Sequence, residues 1–256
     1  MVLIFNSLFA HGVGGRSDLP ISEWIAAWSG AMALLLSFAA LGLLWHQPRF
    51  PKLLNGHLIS KFAKTGQVIT ATARLVVLVL FFVVLAACFI GPDNTVANIA
   101  PTTVFIIFWV GVAISSAIFG PFWKTVSPWE TLGKLLDKSR TVVTRPAPSW
   151  LTSGWAALIP ITIFHWLELA YHDGSSPRVL GWSILIYTVF LLALAWRWGW
   201  AEARKAEGFG VLFQLIAAIS PIFKGEDNRL KVRLPFVGIS ALNMSGPSIA
   251  IVLAAL

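Results

Sequence analysis

The sequence predicts an all-α, polytopic helical membrane protein with five full transmembrane helices, the start of a sixth, and interfacial helices on the cytoplasmic side. Three observations predict it. First, 57% of the 256 residues are hydrophobic, only 12% are charged, and the mean hydropathy is +0.78; a soluble domain carries about 25% charged residues. Second, runs long enough for a bilayer core, which needs about 20 apolar residues in a helix, recur along the chain. Third, 17 of the 19 Lys and Arg residues fall on one side of those runs.

Residues 24–45 are uncharged throughout and give the first span. Residues 68–90 give the second, with Arg74 near one end, where a long side chain can snorkel. Residues 99–123 give the third, 155–171 the fourth and 179–196 the fifth. Residues 247–256 open a sixth run, which is expected to continue beyond Leu256, so the chain reads as the N-terminal fragment of a longer one. Residues 1–10 are apolar, too short to span and without a basic flank; they read as a surface anchor, with cleavage after Ala10 as the alternative.

Charge in the connections orients the spans. Arg49, Lys52, Lys61, Lys64 and Arg74 precede or open the second. Lys124, Lys134, Lys138, Arg140 and Arg145 follow the third, and seven more basic residues lie between 197 and 233. The opposite side holds only Arg16 and Arg178. Lys/Arg bias in short loops places the basic side in the cytoplasm and the N-terminus outside. A crossing by 209–223 would carry basic residues outward, so that segment reads as a cytoplasmic interfacial or re-entrant helix. Trp residues gather toward the two proposed interfaces, with only Trp109 mid-span. The +8 net charge sits in loops, which suits the anionic headgroups of a lipid bilayer and excludes nucleic acid as the partner. The single cysteine, Cys88, lies in an apolar run and excludes an internal disulfide or a multi-Cys metal site.

Between spans three and four, Ser127-Pro128-Trp129-Glu130 has the pattern of a capping box with Pro at the first helical position. Leu132, Leu135 and Leu136 then share a face, which predicts a short amphipathic helix on the inner leaflet.

Two clusters on the outer side could carry chemistry. His165, Glu168 and His172 are spaced i, i+3, i+7, which places them on one face of a continuous helix. Imidazole and carboxylate together suit a divalent transition metal. The bland alternative is a polar cluster in which Glu168 pairs with His165 or Arg178. The second cluster is the Gly-rich segment 11–20, with His11, Arg16 and Asp18. Its backbone amides and Arg16 suit an anion; a turn with Arg16 paired to Asp18 is the alternative. The topology places both clusters on one side, so His11 and Asp18 join the metal-ligand candidates.

His11-Gly-x-Gly-Gly-Arg16-x-Asp18-Leu-Pro20 resembles the opening of an actinobacterial family of multi-pass membrane proteins. Phe108-Trp109-Val110-Gly111, Phe119-Gly120-Pro121-x-Trp123, Ser127-Pro128-Trp129, Trp166-Leu167-Glu168-Leu169 and Asp173-x-x-Ser176-Pro177-Arg178-Val179 are similar to its later segments. Members carry the label fenitrothion hydrolase. The resemblance implies a membrane-bound organophosphate phosphotriester hydrolase. In that reading a metal at His165, Glu168 and His172 activates water, and Arg16 stabilises the developing charge. Two other classes stand beside it: a transporter or proton pathway using Glu168 and the spans interrupted by Pro101, Pro121 and Pro160, and a non-catalytic subunit or assembly factor with membrane-protein partners.

Overall fold

The computed structural model describes residues 23–44, 53–60, 63–139, 146–225 and 229–255. The chain divides into two units, Met1–Arg49 and Phe50–Leu256. In the first, helix α1 spans Glu23–Leu44. Its 22 residues give about 33 Å of helix, enough for a bilayer core. Trp24 and Trp28, one turn apart, meet edge to face.

The second unit is mostly helical. Its main helices are α2 (Ala63–Ile90), α3 (Ile99–Phe119), α4 (Pro128–Lys138), α5 (Trp155–Leu169), α6 (Pro177–Trp198), α7 (Gly208–Ile219) and α8 (Gly246–Ala254). Among the described residues, four helices are long and apolar enough to cross a membrane: those over Trp24–Leu43, Val68–Ile90, Ile99–Phe119 and Pro177–Trp198.

The fourth of the five expected spans departs from that length. α5 opens with a 3-10 turn after Gly154, whose φ of 88° no other residue type adopts readily. It ends at Leu169, where the chain turns back with Gly174 seated against the Leu167 carbonyl. Its 15 residues cover about 22 Å, short of a bilayer core of about 30 Å. The third span also ends earlier than 123, because Gly120 (φ 84°) stops α3 and a separate turn, Trp123–Val126, follows. Thr102–Gly111 within α3 is π-helical and carries Phe108 and Trp109.

The all-α expectation needs a second correction. Three short strands, β1 (His57–Ser60), β2 (Ile222–Lys224) and β3 (Leu230–Val232), form an antiparallel sheet in the order β1-β3-β2. Ile222-Phe223-Lys224 and Leu230-Lys231-Val232 place a basic residue among apolar ones within three positions, too short for a period of two to declare itself. The Arg233 guanidinium lies over the Phe223 ring at 4.3 Å. The segment expected as a helix over 209–223 therefore ends at Ile219 and continues as β2.

α2 and α6 cross closely where Gly181 faces Cys88 and Phe89; a Cβ at Gly181 would stand 2.7 Å from Cys88 Cβ. Small residues at such crossings let backbones approach, the main source of helix association in lipid. Arg178 donates to the carbonyls of Cys88 and Phe89 and so satisfies the C-terminus of α2.

The core is aromatic. Phe108, Trp123, Trp129, Phe164, Phe209 and Phe213 meet at centroid distances of 4.9 to 6.3 Å, mostly edge to face. Trp129 Nε1 donates to Thr188 Oγ1 of α6 at 2.9 Å, and Thr188 in turn donates to Ile184 O. α4 is thus anchored on its protein neighbours through buried Trp129, Glu130 and Gly133, while Leu135 remains exposed.

Candidate functional site

The residues singled out in the sequence separate. His11, Arg16 and Asp18 lie outside the described residues. His165 Nδ1 pairs with Ile161 O at 2.8 Å, and its ring stands edge-on to Trp109 at 5.1 Å. Glu168 is exposed. Because α5 ends at Leu169, His172 sits in the following turn and not on the helical face it was expected to share. There it pairs with Asp173 at 2.9 Å, with its side chain 82% exposed. Arg178, the other partner considered for Glu168, is taken by the end of α2. Among the described residues no group of three His, Cys, Asp or Glu side chains could hold a metal ion, so the set His165, Glu168 and His172 does not fit one and no metal step follows from it.

Polar groups converge elsewhere, at the end of the bundle where α3 and α6 finish. Gly199 (φ 84°) stops α6, and the chain folds inward through the turns Trp200–Ala203 and Arg204–Ala206. Both carboxylate oxygens of Asp137, from α4, accept from the Trp200 amide at 3.0 and 3.1 Å and fix the start of this return. The Trp200 indole lies flat against Gly133, where any Cβ would collide with the ring. Its Nε1 donates to Glu130 Oε2 at 2.7 Å.

Glu130 is the hub of this end. Lys134 Nζ is 2.8 Å from one oxygen and Arg204 3.7 Å from the other. Burial pushes the Glu130 carboxyl up, but the Lys134 and Trp200 hydrogen bonds and the Arg204 charge outweigh it and hold the group below its ordinary value. This explains why the expected capping box does not close. Glu130 is drawn to stronger donors than the Ser127 amide, and Ser127 makes no side-chain cap. Among the described residues the buried Ser127 hydroxyl has no partner.

Glu207 marks the innermost point of the fold-back. Its neighbour Phe209 touches Phe108, Phe164 and Tyr187, residues about halfway along α3, α5 and α6. From there α7 returns to Ser220, whose hydroxyl donates to Ile118 O at the end of α3. Residues 199–219 thus fold inward, going in as turns and coming back as a helix. Glycines permit it. A Cβ on Gly208 would press into Ala157 and Pro160 of α5, and one on Gly210 into the Glu207 carboxyl.

Glu207 lies between α6 and α7, is 7% exposed, and has no cation within ion-pairing distance among the described residues. Tyr187 Oη donates to its Oε1 at 3.4 Å. Burial raises the carboxyl to about 8; the Gly210 amide, Tyr187 and Arg204 oppose that rise, and Glu130 adds to it. Beside Glu207 lies a small cleft of about 40 Å³, bordered by Lys124, Ser127, Glu130, Arg204 and Gln214.

In comparisons with known proteins, no protein family, no curated protein and no solved structure matches this chain. The site therefore rests on its own geometry. Sequence reasoning missed it for identifiable reasons. Glu207 sits in a charged connection beside Arg204 and Lys205, where no spacing pattern sets it apart. The available signal was the Gly208-x-Gly210 pair directly after it, at the head of an apolar run too short to cross. Glu130 was visible, but in a local capping role.

Proposed function

We propose that the protein is a proton-linked integral membrane protein of the transporter or ion-pathway class, with Glu207 as the group that takes up and releases the proton. One observation carries the reading. A buried carboxyl with no cationic partner among the described residues stands at the tip of a re-entrant element, at the inner end of a polar cleft. A carboxylate kept for structure is ordinarily paired or hydrogen-bonded in its charged form. Glu207 instead favours its neutral form, which is what a proton-binding site near neutral pH requires. Broken helices with polar groups at their inner ends are the usual construction of transport sites.

The Lys/Arg bias supports placing the cleft's mouth on the cytoplasmic side of a plasma membrane, with the N-terminus outside. In proteoliposomes carrying an internal pH dye, the wild-type protein is expected to admit protons under an imposed gradient, and Glu207→Gln to lower that rate at least about tenfold. Equal rates in the two proteins overturn the assignment.

The phosphotriester hydrolase implied by the resemblance is the second reading. One observation favours it: Lys124 and Arg204 border the cleft, where they can stabilise negative charge on a phosphoryl oxygen. Release of nitrophenol from a nitrophenyl phosphotriester by the purified protein, lost in Lys124→Gln, selects this reading over transport.

A further inference from the structure

The cleft holds an excess of positive charge that its own residues do not use. Lys124 Nζ has no ion-pair partner among the described residues. Arg204 reaches only the Glu130 oxygen at 3.7 Å, and Glu130 is already bound at shorter range by Lys134 and Trp200. The charged groups that face Glu207 and the cleft are therefore Lys124 before α4, Glu130 and Lys134 on α4, and Arg204 on the inward turn, with the neutral Tyr187 from α6. The two cations that border the cleft, Lys124 and Arg204, stand against one carboxylate, Glu130, which Lys134 already pairs, while Glu207 is neutral. Burial pushes the Lys124 ammonium down, and Arg204 and Lys134 push the same way against Glu130, the signature of cations crowded without enough counter-charge.

An independent feature points to an occupant. The Ser127 side chain borders the same cleft, is 2% exposed, and its hydroxyl has no partner among the described residues. A buried hydroxyl left unsatisfied costs roughly 1–3 kcal/mol, so in native proteins such groups are generally completed by something. A hydroxyl, an ammonium and a guanidinium around one small space form a donor set for oxygen anions. Gln214 at the rim adds an amide.

We propose that the cleft binds one small oxyanion group, a phosphate or a carboxylate, through Lys124, Arg204 and Ser127, and that the anion is held when Glu207 is neutral and released when it ionises. The proposal rests on the reading of Glu207 as the proton-binding group and names the ligand class of that same site. Ionised Glu207 reduces the local positive excess and sets a like charge near the anion. Proton and anion therefore bind together, which makes the coupled species a protonated acid equivalent. The oxyanion has two sources, a free solute or a phosphate on an anionic lipid.

The test uses the purified protein in maltoside detergent, with sulfate and acetate as probes because neither changes charge between pH 6.5 and 9. Binding is read by isothermal titration calorimetry, at constant ionic strength in chloride. The expected result is saturable binding of at least one probe at pH 6.5. Lys124→Gln should weaken it at least about tenfold and Ser127→Ala about threefold or more. The wild type should bind about tenfold more weakly at pH 9, and Glu207→Gln should lose that pH dependence. Lys124 is exposed, so its variant tests the site without threatening the fold.

Repeating the titration in phosphatidylglycerol nanodiscs separates the sources. A response that vanishes there assigns the site to a lipid phosphate, and one that persists assigns it to a free anion. No saturable response to either probe, or one unchanged by Lys124→Gln, overturns the anion site. Binding that depends on Lys124 but not on pH overturns the link to Glu207 and leaves the anion site. Proton uptake that depends on Glu207 without anion binding leaves the proton reading and removes the anion.

Discussion

Glu207 ties proton affinity to stability at a single carboxyl. Its ordinary value is 4.5, and burial raises it to about 8 in the folded protein. The folded state therefore holds a proton that the unfolded state has lost between those two values, and stability falls as pH rises through that window. Below about pH 4.5 the group costs nothing; above about 8 its full cost, on the order of 5 kcal/mol, is present. Glu207→Gln is expected to flatten the decline in melting temperature between pH 5 and 9 and to be the more stable protein at pH 9. A decline of equal slope in both proteins sinks this account. Gly133 tests the same end of the molecule by sterics alone. Gly133→Ala puts a methyl into the Trp200 indole and should cost about 1–3 kcal/mol in thermal unfolding, with Glu130 losing its indole donor as the ring shifts.

Among the elements, α7 has the least ordinary role. It is too short to cross, yet Phe209 and Phe213 on its inner face are buried against α3, α5 and α6. Phe209→Ala should destabilise the protein by about 3–5 kcal/mol and free the tip of the fold-back. In a Cys88→Ser background, Gln214→Cys on the exposed face should react quickly with a hydrophilic maleimide, and Leu212→Cys, 3% exposed in the native chain, should react slowly. Equal labelling of the two positions would place α7 on the surface. The sequence made the existence of this element legible, because charge in the flanking residues argued against a crossing. It did not make the depth legible, since depth is set by Gly208 and Gly210 meeting particular neighbours, a property of packing and not of periodicity. Helices α2, α3 and α6 were legible for the opposite reason: about 20 apolar residues in a row admit few structures besides a span. The strands escaped notice because three residues are too few to show a pattern, and the His165–His172 face failed because nothing local marked the stop at Leu169.

At the scale of the whole molecule, the connections after α3 and after α5 belong to opposite ends of the Phe50–Leu256 unit. In intact cells, Ser139→Cys and Ser175→Cys, each exposed in the native structure and placed in the Cys88→Ser background, should label from opposite sides of the membrane. Labelling of both by one impermeant reagent would break the proposed orientation. The small sheet adds a constraint of a different kind. Among the described residues β1 pairs only with β3, and its register joins His57 to Val232, so two points far apart in the chain close on each other. The intervening helices must all be made before that edge is satisfied. During synthesis β1 is therefore an open seam, and its backbone donors and acceptors stay unpaired by β3 until the last of the long helices has been made. The seam's closure is a late event by geometry alone, and a ribosome stalled before residue 230 would hold long helices whose sheet is not yet locked.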